Sequence, residues 1–199
     1  NNCSGKHAAM LARAHTAGWP LFGYERIEHR VQRGVLDEIV RWTGVESPQI
    51  GCAVDGCGVA EFALPLDAMA RAYARFGDAA RRREEIPARV VGAMASRPFL
   101  VGGTDRFDTV LMEATDGRVV SKIGAEGVHS VAILDEGLGI ALKVEDGAHR
   151  AQYPAVINLL QSLGALRSEL SPKLDEFLRR PLRNTRGEVV GEVRPAGEA

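Results

Sequence analysis

Three short apolar segments in the second half of the chain constrain the fold more than any other feature. They span residues 118–124, 130–134 and 138–144 and are rich in valine, isoleucine and leucine, a composition typical of strands. Asp135-Glu136-Gly137 between the last two is typical of a tight turn. The sequence therefore predicts an antiparallel meander.

Helical periodicity dominates the part of the chain before these strands. The predicted helices span residues 4–17, 31–43, 66–76, 87–96 and 107–114. Ser4 is the expected N-cap of the first helix, Gly44 ends the second, and Gly77 is the expected end of the third.

A further helix is predicted directly after the meander. It runs from residue 149 to about residue 163, with Gly164 as its C-terminal stop. The tail adds a predicted helix at 173–179 and a strand at 188–193. Helices that pack on an antiparallel sheet define an α+β layered architecture.

The composition is that of an ordinary globular protein and excludes several partners. Of 199 residues, 45% are apolar and 26% charged, and the net charge of −1 gives no general attraction to nucleic acid or anionic membranes. No apolar run approaches the roughly 20 residues that a membrane-spanning helix needs. The three cysteines are too few and odd in number for a disulfide framework. We therefore expect a reduced compartment, the cytoplasm.

The first candidate site is the N-terminal segment Asn1-Asn2-Cys3-Ser4-Gly5-Lys6-His7. Backbone N–H groups and the positive dipole at a helix start lower the pKa of a thiol such as Cys3. Lys6 and His7 share one face with Cys3 if the helix begins early enough. The alternative is a helix cap with exposed polar residues.

The second candidate is Asp55-Gly56-Cys57-Gly58, where two glycines around a cysteine predict a tight turn that a ligand can approach closely. The alternative is a plain loop with a buried thiol. Cys52, five residues before Cys57, is expected to be a small core residue.

The third candidate is Lys122-Ile123-Gly124-Ala125-Glu126-Gly127. A lysine on a strand followed by glycine is similar to the Lys-Thr-Gly element of serine–lysine acylases such as β-lactamases. The alternative is a surface lysine at a strand end. The remaining histidines are His15, His29, His129 and His149. Each is expected on the surface or as a satisfied core residue, and His129 is the strongest candidate among them for a functional role.

Taken together, the three motifs resemble the bacterial L-asparaginase II family, of the serine–lysine, zinc-binding type. Gly102-Gly103-Thr104 with Arg106, and Asn184, Gly187 and Gly191 near the end, add to this resemblance. It implies an α+β, β-lactamase/transpeptidase-like fold, an antiparallel sheet with helices packed on it, whose N-terminal part is missing.

The resemblance also implies a domain organisation. Residues 1–199 would form the C-terminal two-thirds of a single asparaginase domain. Residues 1–114 would be mainly helical, and residues 115–199 would contain the sheet meander, a helix and a C-terminal strand.

The same resemblance implies roles for individual residues. Zinc would be bound by Cys3, Lys6 and Cys57, with His7 supporting the site. Asp55 would hold the α-amino group of the substrate, and Lys122 would act in the catalytic centre. The loop after Lys122 would contact the substrate through Gly124, Ala125 and Glu126.

The implied activity is hydrolysis of L-asparagine to L-aspartate and ammonia through a serine acyl-enzyme. The partner is thus a small-molecule substrate, with no nucleic acid and no membrane, and a homodimer is possible. The family's Ser-x-x-Lys nucleophile motif is absent from the chain. We therefore expect an N-terminal truncation and an inactive fragment. Two alternatives stay open: a non-catalytic zinc-binding or thiol-sensing module, and a related glutaminase-like acylase.

Overall fold

The computed structural model describes residues 2–196 and shows a mixed α+β chain with small antiparallel sheets. The chain divides into two compact units, the first ending at Ala72 and the second beginning at Tyr73. Among the described residues, no helix has both the length and the apolar character required to cross a membrane.

The first unit contains two long helices and a β-hairpin. Its elements are α1 (Asn2–Thr16), α2 (Arg30–Thr43), a 3-10 helix (Ser47–Gln49), β1 (Gly51–Val54), β2 (Ala60–Ala63) and the start of α3 (Leu66–Arg81). β1 and β2 pair antiparallel, with Gly51 opposite Ala63. The sequence did not predict this hairpin.

The ends of the two long helices test the predicted caps. Helix α1 already includes residue 2, so the prediction of Ser4 as its N-cap is wrong, and Ser4 lies in the first turn. The predicted end of α2 is confirmed. Gly44 adopts the left-handed conformation with φ of 74°, and its N–H donates to the carbonyl of Val40.

The second unit is built around a three-stranded sheet. Its further elements are α4 (Glu85–Ser96), α5 (Pro98–Gly102), α6 (Phe107–Ala114), β3 (Val119–Ile123), β4 (Val128–Ile133), β5 (Leu138–Lys143), α7 (His149–Ser162), α8 (Pro172–Leu178), β6 (Arg180–Arg183) and β7 (Val189–Val193). The antiparallel order β3-β4-β5 confirms the predicted meander. Strand β7 corresponds to the predicted C-terminal strand. It pairs with β6, a strand that the sequence did not predict.

Helix α3 corrects another prediction, because it continues through Gly77 to Arg81. A side-chain carbon at position 77 would lie only 3.2 Å from Leu134 Cδ2 and 3.3 Å from Ala132 Cβ. The glycine therefore lets α3 pack closely against the sheet and does not end the helix.

The meander is covered on both faces. Val119 and Val131 pack in one buried cluster with Leu111 of α6 and Ile157 and Leu160 of α7. The neighbouring residues Val120 and Ala132 belong to a second cluster with Met112 and Val91. Side chains alternate between the two faces of a strand, and both faces of this sheet are covered. Polar residues of β3 and β4 are therefore buried as well.

Candidate metal and substrate site

The first motif lies on the first turns of α1. Because the helix includes residue 2, Lys6 and His7 follow Cys3 by about one helical turn and lie on the same side of the helix as Cys3. The helix therefore begins early enough for the three residues to lie on one face, which the sequence alone could not establish.

The second motif forms the loop between β1 and β2. The carboxylate of Asp55 fixes this loop, since Oδ1 accepts hydrogen bonds from the backbone N–H of Cys57 at 2.7 Å and of Val59 at 3.1 Å. The N–H of Gly58 donates to the carbonyl of Asp55, and Gly58 has a positive φ of 83°. The predicted tight turn is thus present, and glycine suits its conformation.

The two motifs meet. The sulfurs of Cys3 and Cys57 are in contact and joined as a disulfide, with 6.4 Å between the Cα atoms, although 54 positions separate them in sequence. Beside them, Lys6 Nζ forms an ion pair with Asp55 Oδ2. Cys3, Lys6, Asp55 and Cys57 therefore form one connected group, here called the thiol–amine cluster.

The charge of Asp55 is stabilised by its partners. Burial acts to raise the pKa of this carboxyl, but the hydrogen bond from Lys6 and those from the Val59 and Cys57 N–H groups outweigh it and lower the pKa below its ordinary value. Both side chains remain within reach of solvent, with 33% of Lys6 and 15% of Asp55 exposed. A small polar ligand can therefore approach the pair.

His7 contacts Tyr24, a residue that none of the three motifs contains. Its Nδ1 lies 2.6 Å from the hydroxyl of Tyr24, and the two rings meet edge to face at 5.7 Å. This contact fixes the side chain of His7, which directly follows Lys6 on α1.

The donor set of the cluster would fit zinc once the sulfur pair is reduced and the amine of Lys6 is neutral, because zinc binds thiolates and nitrogen donors. A shared ion and a disulfide both require adjacent sulfurs. Within the part of the chain that the structure describes, no three His, Cys, Asp or Glu side chains are grouped so that they could hold a metal. A site on these cysteines would therefore need the amine of Lys6 as a ligand.

The oxidation state of Cys3 and Cys57 and the position of Cys52 both differ from expectation. The cysteine count predicted reduced thiols, whereas two of the three are paired. Cys52 was expected in the core, but it is free and exposed. It lies on β1, which has every residue exposed, so the prediction of a core residue is wrong.

The third motif lies in the second unit, at the end of β3. Lys122 Nζ donates to the carbonyl of Ile123 at 2.7 Å. Burial lowers the pKa of Lys122, the charge of Asp108 opposes this shift, and that of Arg106 adds to it. A lysine with a lowered pKa is more readily neutral and can accept a proton.

The loop after Lys122 is tight. The N–H of Gly124 donates to the carbonyl of Val128, and the N–H of Val128 donates to that of Ala125. Glu126 and Gly127 both have positive φ, and a side-chain carbon at Gly127 would lie 2.8 Å from Val144 Cβ. Whether Lys122 and this loop share a cleft with Asp55 stays a prediction.

A buried polar network in the second unit was missed by the sequence analysis. Ser121 Oγ donates to Asp108 Oδ1 at 2.7 Å and lies 2.7 Å from His129 Nε2. Gln152 Nε2 lies 3.1 Å from the other ring nitrogen of His129. These residues come from α6, β3, β4 and α7, so no local spacing could indicate the network. His129 is a satisfied core histidine, one of the two outcomes that the sequence predicted.

The fold and the site define a class: a mixed α+β protein whose first unit carries two cysteines, a lysine and an aspartate in contact. The sequence profile of the family described as L-asparaginase II matches residues 1–195, and the chain belongs to this family. No curated protein matches the chain. The family suggests an asparaginase-type amidohydrolase that binds a small-molecule substrate.

Proposed function

We propose that the chain supplies the zinc-binding and substrate-binding part of an L-asparaginase of the serine–lysine type with a β-lactamase-like fold. The observation that supports this proposal best is the thiol–amine cluster, in which the Cys3–Cys57 pair lies beside the Lys6–Asp55 ion pair. It occurs in a chain that belongs to the L-asparaginase II family.

Zinc would be held by the thiolates of Cys3 and Cys57 and the neutral amine of Lys6, after reduction of the sulfur pair. Lys6 must lose a proton to become a ligand, so affinity would rise with pH. A zinc ion bound there would join α1 to the hairpin loop that carries Asp55 and would so tune substrate binding. His7, held by Tyr24, would keep the first turns of α1 in place.

Asp55 would bind the α-ammonium group of L-asparagine. Its carboxylate is ionised and fixed by the hairpin loop, and Lys6 Nζ already shows that a cationic amine fits against Oδ2. When Lys6 turns to the metal, the substrate ammonium would take its place as the partner of Asp55.

Lys122 would serve proton transfer in the catalytic centre, with Gly124, Ala125 and Glu126 alongside the substrate. In the proposed reaction a serine hydroxyl loses its proton to a lysine amine and attacks the side-chain amide carbon. The carbon–nitrogen bond breaks, ammonia leaves, and water hydrolyses the acyl-enzyme to L-aspartate. Residues 1–199 contain no Ser-x-x-Lys motif, so this serine would have to lie outside them. A cytoplasmic location and a homodimer are part of the same proposal.

The test compares ligand binding with turnover in residues 1–199. Titration of the zinc-loaded protein with L-asparagine, followed by NMR, should give weak saturable shifts at Asp55 and its neighbours. Asp55→Asn should abolish them, whereas Asp37→Asn, an exposed change on α2, should not. Ammonia release should be absent. Equal binding by Asp55→Asn, or turnover in the usual range of about 1–1000 per second, would contradict the proposal.

The contact between Cys3 and Cys57 also favours a second candidate, a non-catalytic zinc-binding or thiol-sensing module. Such a module would take up zinc on reduction but show no saturable shifts with L-asparagine. Stronger shifts with L-glutamine than with L-asparagine would instead indicate the glutaminase-like acylase.

A further inference from the structure

A single carboxylate holds both neighbours of Lys122 on strand β3. Asp108, the second residue of α6, accepts from Ser121 Oγ through Oδ1 at 2.7 Å and from the Ile123 N–H through Oδ2 at 2.9 Å. The two arms contact the residues immediately before and after Lys122. Asp108 thus fixes the segment of strand that carries the lysine.

His129 completes this arrangement. Gln152 Nε2 donates to the carbonyl of Val128 at 2.6 Å, and Gln152 Oε1 lies 2.8 Å from His149 Nδ1. The second N–H of the amide therefore points to His129 Nδ1, which accepts. The proton of a neutral His129 is then on Nε2, which lies 2.7 Å from Ser121 Oγ and 3.2 Å from Asp108 Oδ1.

The network is closed to solvent. Ser121 and His129 are completely buried, and Asp108 is 2% exposed. A buried ionised carboxylate is tolerated only when its oxygens are hydrogen-bonded, and Asp108 meets this condition on both oxygens. Burial acts to raise the pKa of Asp108, but His129, Ser121 and the Ile123 N–H together lower it.

The charge of Asp108 reaches several titratable groups around β3. It favours the protonated amine of Lys122, while Arg106 acts in the opposite direction. It also favours the neutral phenols of Tyr73 and Tyr153. Of these groups, Lys122 is the one whose two chain neighbours are bound to Asp108.

We propose that Asp108 is a positioning residue for Lys122: it clamps the strand on both sides of the lysine and supplies the buried negative charge that acts on the amine. The proposal rests on the proposed function only for the catalytic use of Lys122. The clamp and the charge effect are properties of the chain itself.

Two variants separate the charge from the clamp. Asp108→Asn keeps the shape of the side chain but removes its charge. Ser121→Ala removes one arm of the clamp and leaves the charge. If Asp108 had only a structural role, both variants would lower stability and neither would change the pKa of Lys122.

The readout is the titration of each lysine in protein labelled with ¹³C-lysine, followed at Cε by NMR. The chain has Lys6, Lys122, Lys143 and Lys173 as its lysines, so each signal can be assigned by single substitution. In Asp108→Asn the pKa of Lys122 should fall by about one unit, the lower end of the effect of a nearby opposite charge. Ser121→Ala, and Asp78→Asn at a partly exposed carboxylate of α3 that pairs with Arg81 and Arg82, should each change it by less than about 0.3 unit.

A reciprocal measurement covers the case in which Asp108→Asn does not fold. Coupling between two sites is mutual, so Lys122→Met should raise the pKa of the Asp108 carboxyl, measured at Cγ, by the amount found for Lys122. An unchanged Lys122 pKa in folded Asp108→Asn, or an unchanged Asp108 pKa in Lys122→Met, would overturn the proposal. Neither measurement uses turnover, so the asparaginase proposal can fail while this one stands.

Discussion

The two compact units hold their polar groups in opposite ways. In the first unit, Lys6 and Asp55 are paired near the surface, on a helix and a hairpin loop. In the second unit, Asp108 of α6 is buried with Ser121 and His129 of the meander, whose sheet is covered on both faces. The first arrangement leaves reactive groups accessible, and the second fixes groups that a ligand does not reach.

The hydrophobic cores differ in the same sense. Both buried clusters lie in the second unit and include large side chains such as Phe107, Leu111 and Leu160. The buried apolar residues of the first unit are small: Ala14, Val31, Val59, Ala60 and Ala68. The first unit therefore depends more on the link between α1 and the hairpin, as small cores often depend on cross-links or metals.

The largest stability effect is expected in the core of the second unit. Leu111→Ala empties a fully buried site and should lower the free energy of unfolding by about 3–4 kcal/mol. The control, Leu100→Ala, changes a side chain that is 70% exposed and should cost about 0.5 kcal/mol or less. Urea unfolding measures both, and equal losses would contradict the assignment of the core.

The next largest effect should be confined to the first unit. Cys57→Ser removes the link to Cys3 and should lower local stability by about 2–4 kcal/mol. Hydrogen exchange should accelerate in α1 and the hairpin but not in the β3–β5 meander. Cys52→Ser, at the exposed free cysteine, is the matched control and should leave exchange unchanged. Uniform acceleration in both units would refute the division.

Acid should weaken both units through different carboxylates. The pKa values of Asp55 and Asp108 both lie below the ordinary value of 3.8. Their stabilisation is therefore complete above that pH and is lost as the pH falls through the lower folded values. Asp55→Asn should flatten the acid dependence in the first unit, and Asp108→Asn in the second. Each unit can be followed by hydrogen exchange from pH 5 down to about pH 2, and an unchanged slope would contradict the corresponding assignment.

The smallest expected loss of stability comes from replacing a glycine at a helix end, and it should be equal in the two units. Gly44 after α2 and Gly164 after α7 have φ of 74° and 73°, so alanine at either position is strained. Each substitution should cost about 1 kcal/mol. Thermal unfolding measures this loss, and a clearly larger cost at one glycine would show that it also has a packing role.

The sequence predicted the elements whose signals are local. The meander, α6 and the glycine ends of α2 and α7 follow from short patterns of apolar residues and turns. The helix end at Gly77 was predicted wrongly because that glycine serves contact with Ala132 and Leu134, which lie far away in the chain. The β1–β2 hairpin was missed because its first strand, Gly51–Val54, has no buried face.

The candidate sites show the same difference between local sequence signals and contacts that join distant parts of the chain. Cys3 and Cys57 were expected to lie together from family resemblance, and the contact of their sulfurs agrees with this. The ion pair of Lys6 with Asp55 was not predicted, since it depends on how α1 meets the hairpin loop. The Asp108 network could not be predicted from spacing, because four separate elements contribute to it.

The proposed metal site is tested by a zinc competition titration of residues 1–199 against a chromophoric chelator, with the thiols reduced. We expect one zinc ion per chain, with binding at least about 100-fold weaker in Cys3→Ser, Cys57→Ser and Lys6→Met, since each removes a ligand. Cys52→Ser should bind like the unmodified chain. Absence of zinc binding, or binding that survives the loss of Cys57 and Lys6, would contradict the proposed metal site.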